Sequence, residues 1–159
     1  MQKTNAIITF MNQSNQKDCV YCSNIDIKNR EIAGDDLAWV FPTNIPIVPG
    51  HILIAPKRCV AKYEDLTIEE KEAIEKLRVK MVEALKKAFN AEGFNYAWNE
   101  NKIAGQSVPH FHLHVLPRKE DDEGITEYEP RKFLYRPGSR EATPEKELQQ
   151  ICAMIRKFT

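Results

Sequence analysis

Three of the chain's four histidines fall in one short run, "GQSVPHFHLHVLPRK" from Gly105 to Lys119, at the alternate positions His110, His112 and His114. Imidazole is a nucleophile when neutral and an acid when protonated, and both forms are accessible near pH 7. Phe111, Leu113 and Val115 interleave with the histidines. Side chains alternate faces along a strand, so this pattern sends the apolar residues into a core and gathers the three imidazoles on the opposite face. Same-face neighbours lie about 6.6 Å apart, close enough for several imidazoles to address one small group such as a phosphate. One histidine could attack phosphorus while a neighbour protonates the leaving group. Just upstream, the Gln106 amide and the Ser107 hydroxyl can donate hydrogen bonds to phosphate oxygens. Two other readings compete: a half-exposed strand that merely carries histidine, and a transition-metal site with imidazole ligands. Polar strand faces usually carry Thr, Lys, Glu or Ser, and the run holds no carboxylate, so both account for it less well.

The elements that must position this run can be read from patterning. "REIAGDDLAWVFP" has two short apolar runs around Gly34-Asp35-Asp36, the composition of a β-hairpin. "HILIAP", His51 to Pro56, is a continuous apolar run expected to form a strand buried on both faces. Thr67 and Glu70 make a T-x-x-E capping box, and Ile74, Leu77, Met81, Leu85 and Ala88 follow helical spacing, which predicts a helix from Thr67 to Asn90. "FNYAWN", Phe94 to Asn99, alternates like a strand. Pro144 starts a last helix near 144–157, with Leu148, Ile151, Cys152, Ile155 and Phe158 on one face. Lys119 to Arg140 is charged and carries Pro130, Pro137 and Gly138, so a long surface excursion is expected.

At 159 residues, 42% hydrophobic and 29% charged, the chain suits a single domain spanning 1–159. Lys+Arg and Asp+Glu are both 23, which removes the electrostatic reason to expect duplex nucleic acid or a membrane surface as partner. "MQKTNAIITFMNQSNQ" offers no long apolar core of the signal-peptide kind, and no segment is long enough to span a bilayer. Four cysteines, two of them in "CVYC", read as a metal site in a reducing compartment rather than a disulfide framework. A soluble cytoplasmic protein is expected.

"HFHLHV" with "GQSVP" before it resembles the signature of the histidine triad (HIT) family. "IPIVPGHILIAPKR", Ile45 to Arg58, is similar to the family's Pro-Gly-His strand block, and "CVYC" to the Cys-x-x-Cys of its zinc-bearing members. The three blocks stand in family order from Cys19 to Arg118; the C-terminal extension 119–159 lies outside the resemblance. It implies an α+β fold: an antiparallel sheet with the long helix packed on it, usually in a homodimer. It also implies hydrolysis or transfer of nucleotides at the α-phosphate through a covalent nucleotidyl-histidine. Position by position, His112 is the nucleophile, while His114 and His110 complete the triad. Gln106 and Ser107 match phosphate contacts, and Asn99 matches the residue touching ribose or the scissile phosphate. His51 matches a histidine that orients the triad without reacting. Two positions depart from the family pattern. Thr43, beside Asn44, stands eight residues before His51 where an Asp or Asn commonly binds ribose hydroxyls. Asn101 replaces a turn glycine that many members have, and asparagine tolerates positive φ better than most residues.

In zinc-bearing relatives the ligands are the two N-terminal cysteines, a histidine after Pro-Lys and the first triad histidine. Here "PKRC" sets Cys59 where that second ligand histidine belongs. Thiolate suits zinc as well as imidazole does, so the resemblance implies a structural zinc held by Cys19, Cys22, Cys59 and His110. Cys152, on the last helix, reads as a buried small hydrophobe. The activity expected is that of a nucleotide hydrolase or nucleotidyl transferase on a small-molecule nucleotide. The alternative is a non-catalytic, zinc-stabilised nucleotide-binding module, and a third possibility is a metal enzyme that uses the triad as ligands. Phosphoramidates, aminoacyl adenylates, dinucleoside polyphosphates and nucleotide sugars all remain open as substrates.

Overall fold

A computed structural model of the chain describes residues 18–122 and 142–159. Two short helices, α1 (Val20–Ser23) and α2 (Ile25–Asn29), precede strands β1 (Ala33–Gly34), β2 (Ala38–Pro42) and β3 (Ile52–Pro56). The long helix α3 (Ile68–Phe89) leads to β4 (Gly93–Ala97) and β5 (Leu113–Arg118), and α4 (Glu145–Arg156) follows. The described strands form one five-stranded sheet in the order β1-β2-β3-β5-β4, antiparallel at every pairing. The fold is therefore α+β.

The hairpin is where the turn composition puts it: Ala33 pairs with Val40, and the Asp35 carboxylate accepts from the N–H groups of Leu37 and Ala38. β3 is buried along its whole length because both its faces are covered. Ile52 and Ile54 point with Ala38, Val40, Leu113 and Val115 into the core under α3 and α4. Leu53 and Ala55 point the other way and cluster with Trp39 and Phe41 beneath Tyr21 and Ile27. Since His114 pairs with Leu53 across β3 and β5, the histidine face of the sheet is this second, aromatic face.

Helix α3 has its capping box: Thr67 Oγ1 accepts from the Glu70 N–H, and the Glu70 carboxylate accepts from the Thr67 N–H. It ends at Asn90, whose φ of 55° and ψ of 42° are the left-handed stop. Its buried face is Ala73, Ile74, Leu77, Met81, Ala84 and Leu85, while Ala88 is half-buried. β4 ends at Ala97, so Trp98 and Asn99, expected inside that strand, begin the loop that follows it. Helix α4 buries Leu148, Cys152 and Ile155, while Phe158 falls beyond its end and is exposed. Arg30 pairs with Glu145, Arg156 donates to the Glu31 carbonyl, and the Thr143 N–H donates to the Asn44 carbonyl at 2.9 Å. These bonds strap the C-terminal segment across α2 and the loop after β2. Of the charged excursion expected from Lys119 to Arg140, residues 123–140 lie outside the described residues. Among the described residues, no helix is long and apolar enough to cross a membrane.

Candidate active site

The histidine run crosses the sheet as the middle partner of β3 and β4, but only His114 lies within the paired part of β5. His110, in a bend, and His112 precede it, anchored where the Phe111 N–H donates to the Val60 carbonyl at 2.6 Å. Phe111, Leu113 and Val115 sit in the core as the alternation requires.

The three imidazoles have three different sets of partners, and those partners decide where the protons sit. The Nδ1 of His112 is 2.7 Å from the carbonyl oxygen of His110. A carbonyl only accepts, so Nδ1 carries the proton and the neutral ring keeps its lone pair on Nε2. Burial holds His112 below the ordinary histidine pKa; its bond to the His110 carbonyl opposes this but is outweighed. Neutral His112 is thus the form present near pH 7.

His114 takes its orientation from His51. The Ile47 N–H donates to His51 Nδ1 at 3.1 Å, which puts the His51 proton on Nε2, 2.9 Å from His114 Nδ1. His114 accepts there, so its own proton is on Nε2. His51 is held by a tight turn in which its N–H bonds to the Val48 carbonyl and Gly50 adopts a φ of 84°. A Cβ on Gly50 would also come within 2.8 Å of the Phe89 ring, so glycine is required here twice over.

His110 faces away from this pair. Its Nε2 lies 2.8 Å from the Pro56 carbonyl and so carries the proton, leaving Nδ1 toward Cys19 Sγ at 3.4 Å and Cys22 Sγ at 3.5 Å. The donor atoms of Cys19, Cys22, Cys59 and His110 all lie within 4.8 Å of one another. Tetrahedral zinc with bonds of about 2.3 Å sets sulfur atoms about 3.8 Å apart, so the cluster fits the ion in both spacing and chemistry. Burial pushes the Cys19 thiol up, but bonds to His110 and to the Cys22 N–H outweigh it and bring it down to about 6. Burial and the neighbouring Cys19 sulfur raise Cys22, and burial and the charge on Cys19 raise Cys59. Cys22 and Cys59 would therefore give up their protons only to a cation held between the sulfurs.

The remaining residues divide between the pocket and its scaffold. Gln106 donates from Nε2 to the Ala61 carbonyl at 2.7 Å and accepts from the Asn101 N–H at 2.9 Å. Its own N–H bonds to the Asn101 carbonyl. These bonds tie the Gln106 side chain into the loop that presents exposed Ser107. Asn99 is buried, its amide donating to the Gly105 carbonyl at 3.5 Å. Thr43 is nearly buried and its hydroxyl accepts from the Ile45 N–H at 3.4 Å, whereas Asn44 is exposed beside it. Tyr21 belongs to the site although the residue pattern does not single it out: its ring packs edge-on against His112, with centroids 5.4 Å apart. The available signal was an aromatic residue enclosed by the Cys-x-x-Cys pair. Trp39 and Phe41 were likewise legible only as strand residues.

Residues 24–121 match the family model described as the HIT domain. An uncharacterised HIT-like protein of Mycoplasma genitalium is 31% identical over 117 residues, which cover 72% of this chain and 83% of that protein. The bis(5'-adenosyl)-triphosphatase of Dictyostelium discoideum is 36% identical over 87 residues, 55% of this chain and 58% of the enzyme, so the match spans little more than half of it. The fold aligns with the crystal structure of a HIT-like protein from Bartonella henselae at a TM-score of 0.73 and 26% identity, covering 90% of this chain and 97% of that one. The chain belongs to the histidine triad family.

Proposed function

We propose that the protein is a nucleotide hydrolase or nucleotidyl transferase that works at an α-phosphate through a covalent intermediate on His112. The observation that carries this reading is the 2.7 Å bond from His112 Nδ1 to the His110 carbonyl, which leaves a lone pair on Nε2 of a buried, neutral ring. The first step forms an Nε2–P bond as the bond from phosphorus to the leaving oxygen breaks. His114 Nε2–H and the Ser107 hydroxyl are the donors that stabilise charge on the phosphoryl oxygens and the departing group. Water then attacks phosphorus, the N–P bond breaks, and a nucleoside monophosphate and free His112 are released; another acceptor in place of water makes the reaction a transfer. Thr43, Asn44 and Asn99 line the sugar and phosphate side. Dinucleoside polyphosphates are the first substrates to try, since the triphosphatase and an asymmetrical bis(5'-nucleosyl)-tetraphosphatase of Schizosaccharomyces pombe are among the relatives.

Zinc is the metal that suits Cys19, Cys22, Cys59 and His110, a closed set of protein ligands whose role is structural. Free thiols at all four cysteines suit a reducing compartment such as the cytoplasm. A homodimer is supported by Ile68, Val79, Tyr96 and Trp98, large apolar side chains left exposed on α3, along edge strand β4 and just beyond it; sedimentation at micromolar concentration tests it. For the activity, diadenosine triphosphate is mixed with protein, quenched without acid and examined by mass spectrometry. An adenylyl adduct mapping to His112, absent in His112→Ala together with turnover, is expected. Tight nucleotide binding with neither adduct nor turnover would make the protein a binding module instead.

A further inference from the structure

The stretch from Thr43 to His51 joins β2 to β3 without regular structure, and it delivers His51 to the active site. The loop is stitched together by its own bonds. The Thr43 N–H donates to the His51 carbonyl at 3.3 Å, the Ile45 N–H to Thr43 Oγ1 at 3.4 Å, and the Ile47 N–H to His51 Nδ1 at 3.1 Å. The last of these sets the donor that His51 offers to His114. The far end of the loop rests on Phe89 and Pro117, which leave no room for a Cβ on Gly50. The near end, at exposed Asn44, is met from outside: its carbonyl accepts from the Thr143 N–H at 2.9 Å.

Thr143 immediately precedes Pro144, the N-cap of α4, and α4 is a firm mount. It packs on α3 and β2, with Leu148, Cys152 and Ile155 no more than 1% exposed. Polar bonds fix it to the end of α2 as well. Arg30 Nε donates to Glu145 Oε2 at 2.9 Å, the Cys152 thiol to the Arg30 carbonyl at 3.3 Å, and Arg156 Nε to the Glu31 carbonyl at 3.0 Å. Helix α2 carries Ile27, which packs on Trp39, Phe41, Leu53 and Ala55 of the histidine face. One helix thus grips both the loop behind His51 and the helix lying over the aromatic face. All of α4 lies beyond residues 24–121, the stretch that matches the HIT domain.

We propose that Thr143 and α4 are a brace for the active site: Thr143 is a positioning residue that holds the loop from Thr43 to His51 where His51 meets His114. The effect on turnover rests on the proposed roles of His114, Thr43 and Asn44; the bracing does not. The backbone N–H makes the bond, so Thr143→Ala keeps it and Thr143→Pro deletes it. Glu145→Arg sets a like charge against Arg30 at the start of α4, and adding Arg30→Glu restores an opposite pair. Thr143→Pro is expected to lower kcat by roughly tenfold, short of the 10²-fold that an outright misplacement can cost. KM should rise with it, because Thr43 and Asn44 sit on the same loop. Glu145→Arg should act in the same direction but more weakly, since its pair is partly exposed.

The test uses the full chain and these variants, with diadenosine triphosphate as substrate and every assay well below the lowest Tm. Ring-nitrogen NMR reads the His51–His114 hydrogen bond, and circular dichroism reads folding. Met81→Ala, a truncation of a fully buried side chain in α3, is the destabilised control that leaves Thr143 in place. Thr143→Pro and Glu145→Arg should shift the His51 and His114 signals, while Thr143→Ala, the charge-swapped pair and Met81→Ala should match wild type. Unchanged signals in folded Thr143→Pro would overturn the brace. Should that variant fail to fold, unchanged signals in Glu145→Arg would overturn it instead. The same shift in Met81→Ala would also overturn it, by making the change a general loosening. Absence of turnover in wild type would defeat the hydrolase reading alone, because the NMR comparison still decides the brace.

Discussion

His51 Nε2 and His114 Nδ1 share a 2.9 Å hydrogen bond, and the Ile47 N–H on the other side of the His51 ring fixes its direction. His51 is thereby the donor, and His114 is held with its own proton on Nε2. His51→Leu removes the donor and frees His114 to change tautomer and tilt. A kcat lowered by about 10²-fold is expected, with His51→Gln less affected because its amide can still donate. Steady-state kinetics check the size of the effect, and the His114 nitrogen shifts check its cause.

Metal content offers a second check. Protein purified without chelator should carry about one zinc per chain, and Cys59→His should keep it, since imidazole is an equally good ligand. Cys59→Ser should lose most of it. At this size each kcal/mol lost lowers Tm by roughly 2–4 °C, so Cys59→Ser should melt several degrees below wild type. Binding must displace protons from Cys22 and Cys59, whose thiols are raised. Affinity therefore falls as pH falls. Elemental analysis and calorimetry across pH read both effects.

Glu70 gives a pH dependence of stability with a definite sign. Burial raises its carboxyl pKa, but the two-pronged bond from Arg58 and the Thr67 N–H lower it further, and the net shift is downward. A group depressed on folding stabilises fully above its unfolded pKa, about 4.3 for Glu, and that contribution is lost as pH drops through the folded value. Glu70→Gln is expected to cost about 1–2 kcal/mol near pH 7, allowing for the partly exposed Arg58. Denaturant melts of both proteins should draw together as pH falls below about 4.3, the unfolded value, and meet only below the lowered folded value.

Local patterns were legible in the chain because each depends on neighbours in sequence. The alternation of Phe111, Leu113 and Val115 with histidine gave the buried and reactive faces, and Thr67 with Glu70 gave the start of α3. The family blocks brought Cys59 to Cys19, Cys22 and His110, a cluster no spacing rule would assemble. What escaped depends on chain segments meeting across the fold. Tyr21 reaches His112 only because α1 folds over the aromatic face of the sheet. Thr143 reaches Asn44 only because α4 docks beside β2. The Gln106 side-chain bonds to Ala61 and Asn101 exist only once the loop is closed.

That loop contains the clearest backbone conflict among the described residues. Asn101 has a φ of 65° and a ψ of 156°, outside the left-handed helical well that asparagine accepts and in a region that glycine alone occupies freely. The conformation is held because the Asn101 N–H bonds to Gln106 Oε1 and its carbonyl accepts from Ala104 and Gln106. All three bonds are backbone bonds on the Asn101 side, so a glycine would make them unchanged. Strain of this kind costs of order 1–3 kcal/mol, against roughly 0.5–1 kcal/mol for the greater freedom of glycine in the unfolded chain. Asn101→Gly is therefore expected to raise stability by about 1 kcal/mol, or roughly 2–4 °C in Tm. Asn101→Ala should bring no such gain, because a Cβ remains and no relief follows. Calorimetry of the two variants beside wild type reads the sign directly, and a glycine variant less stable than wild type would remove the strain argument.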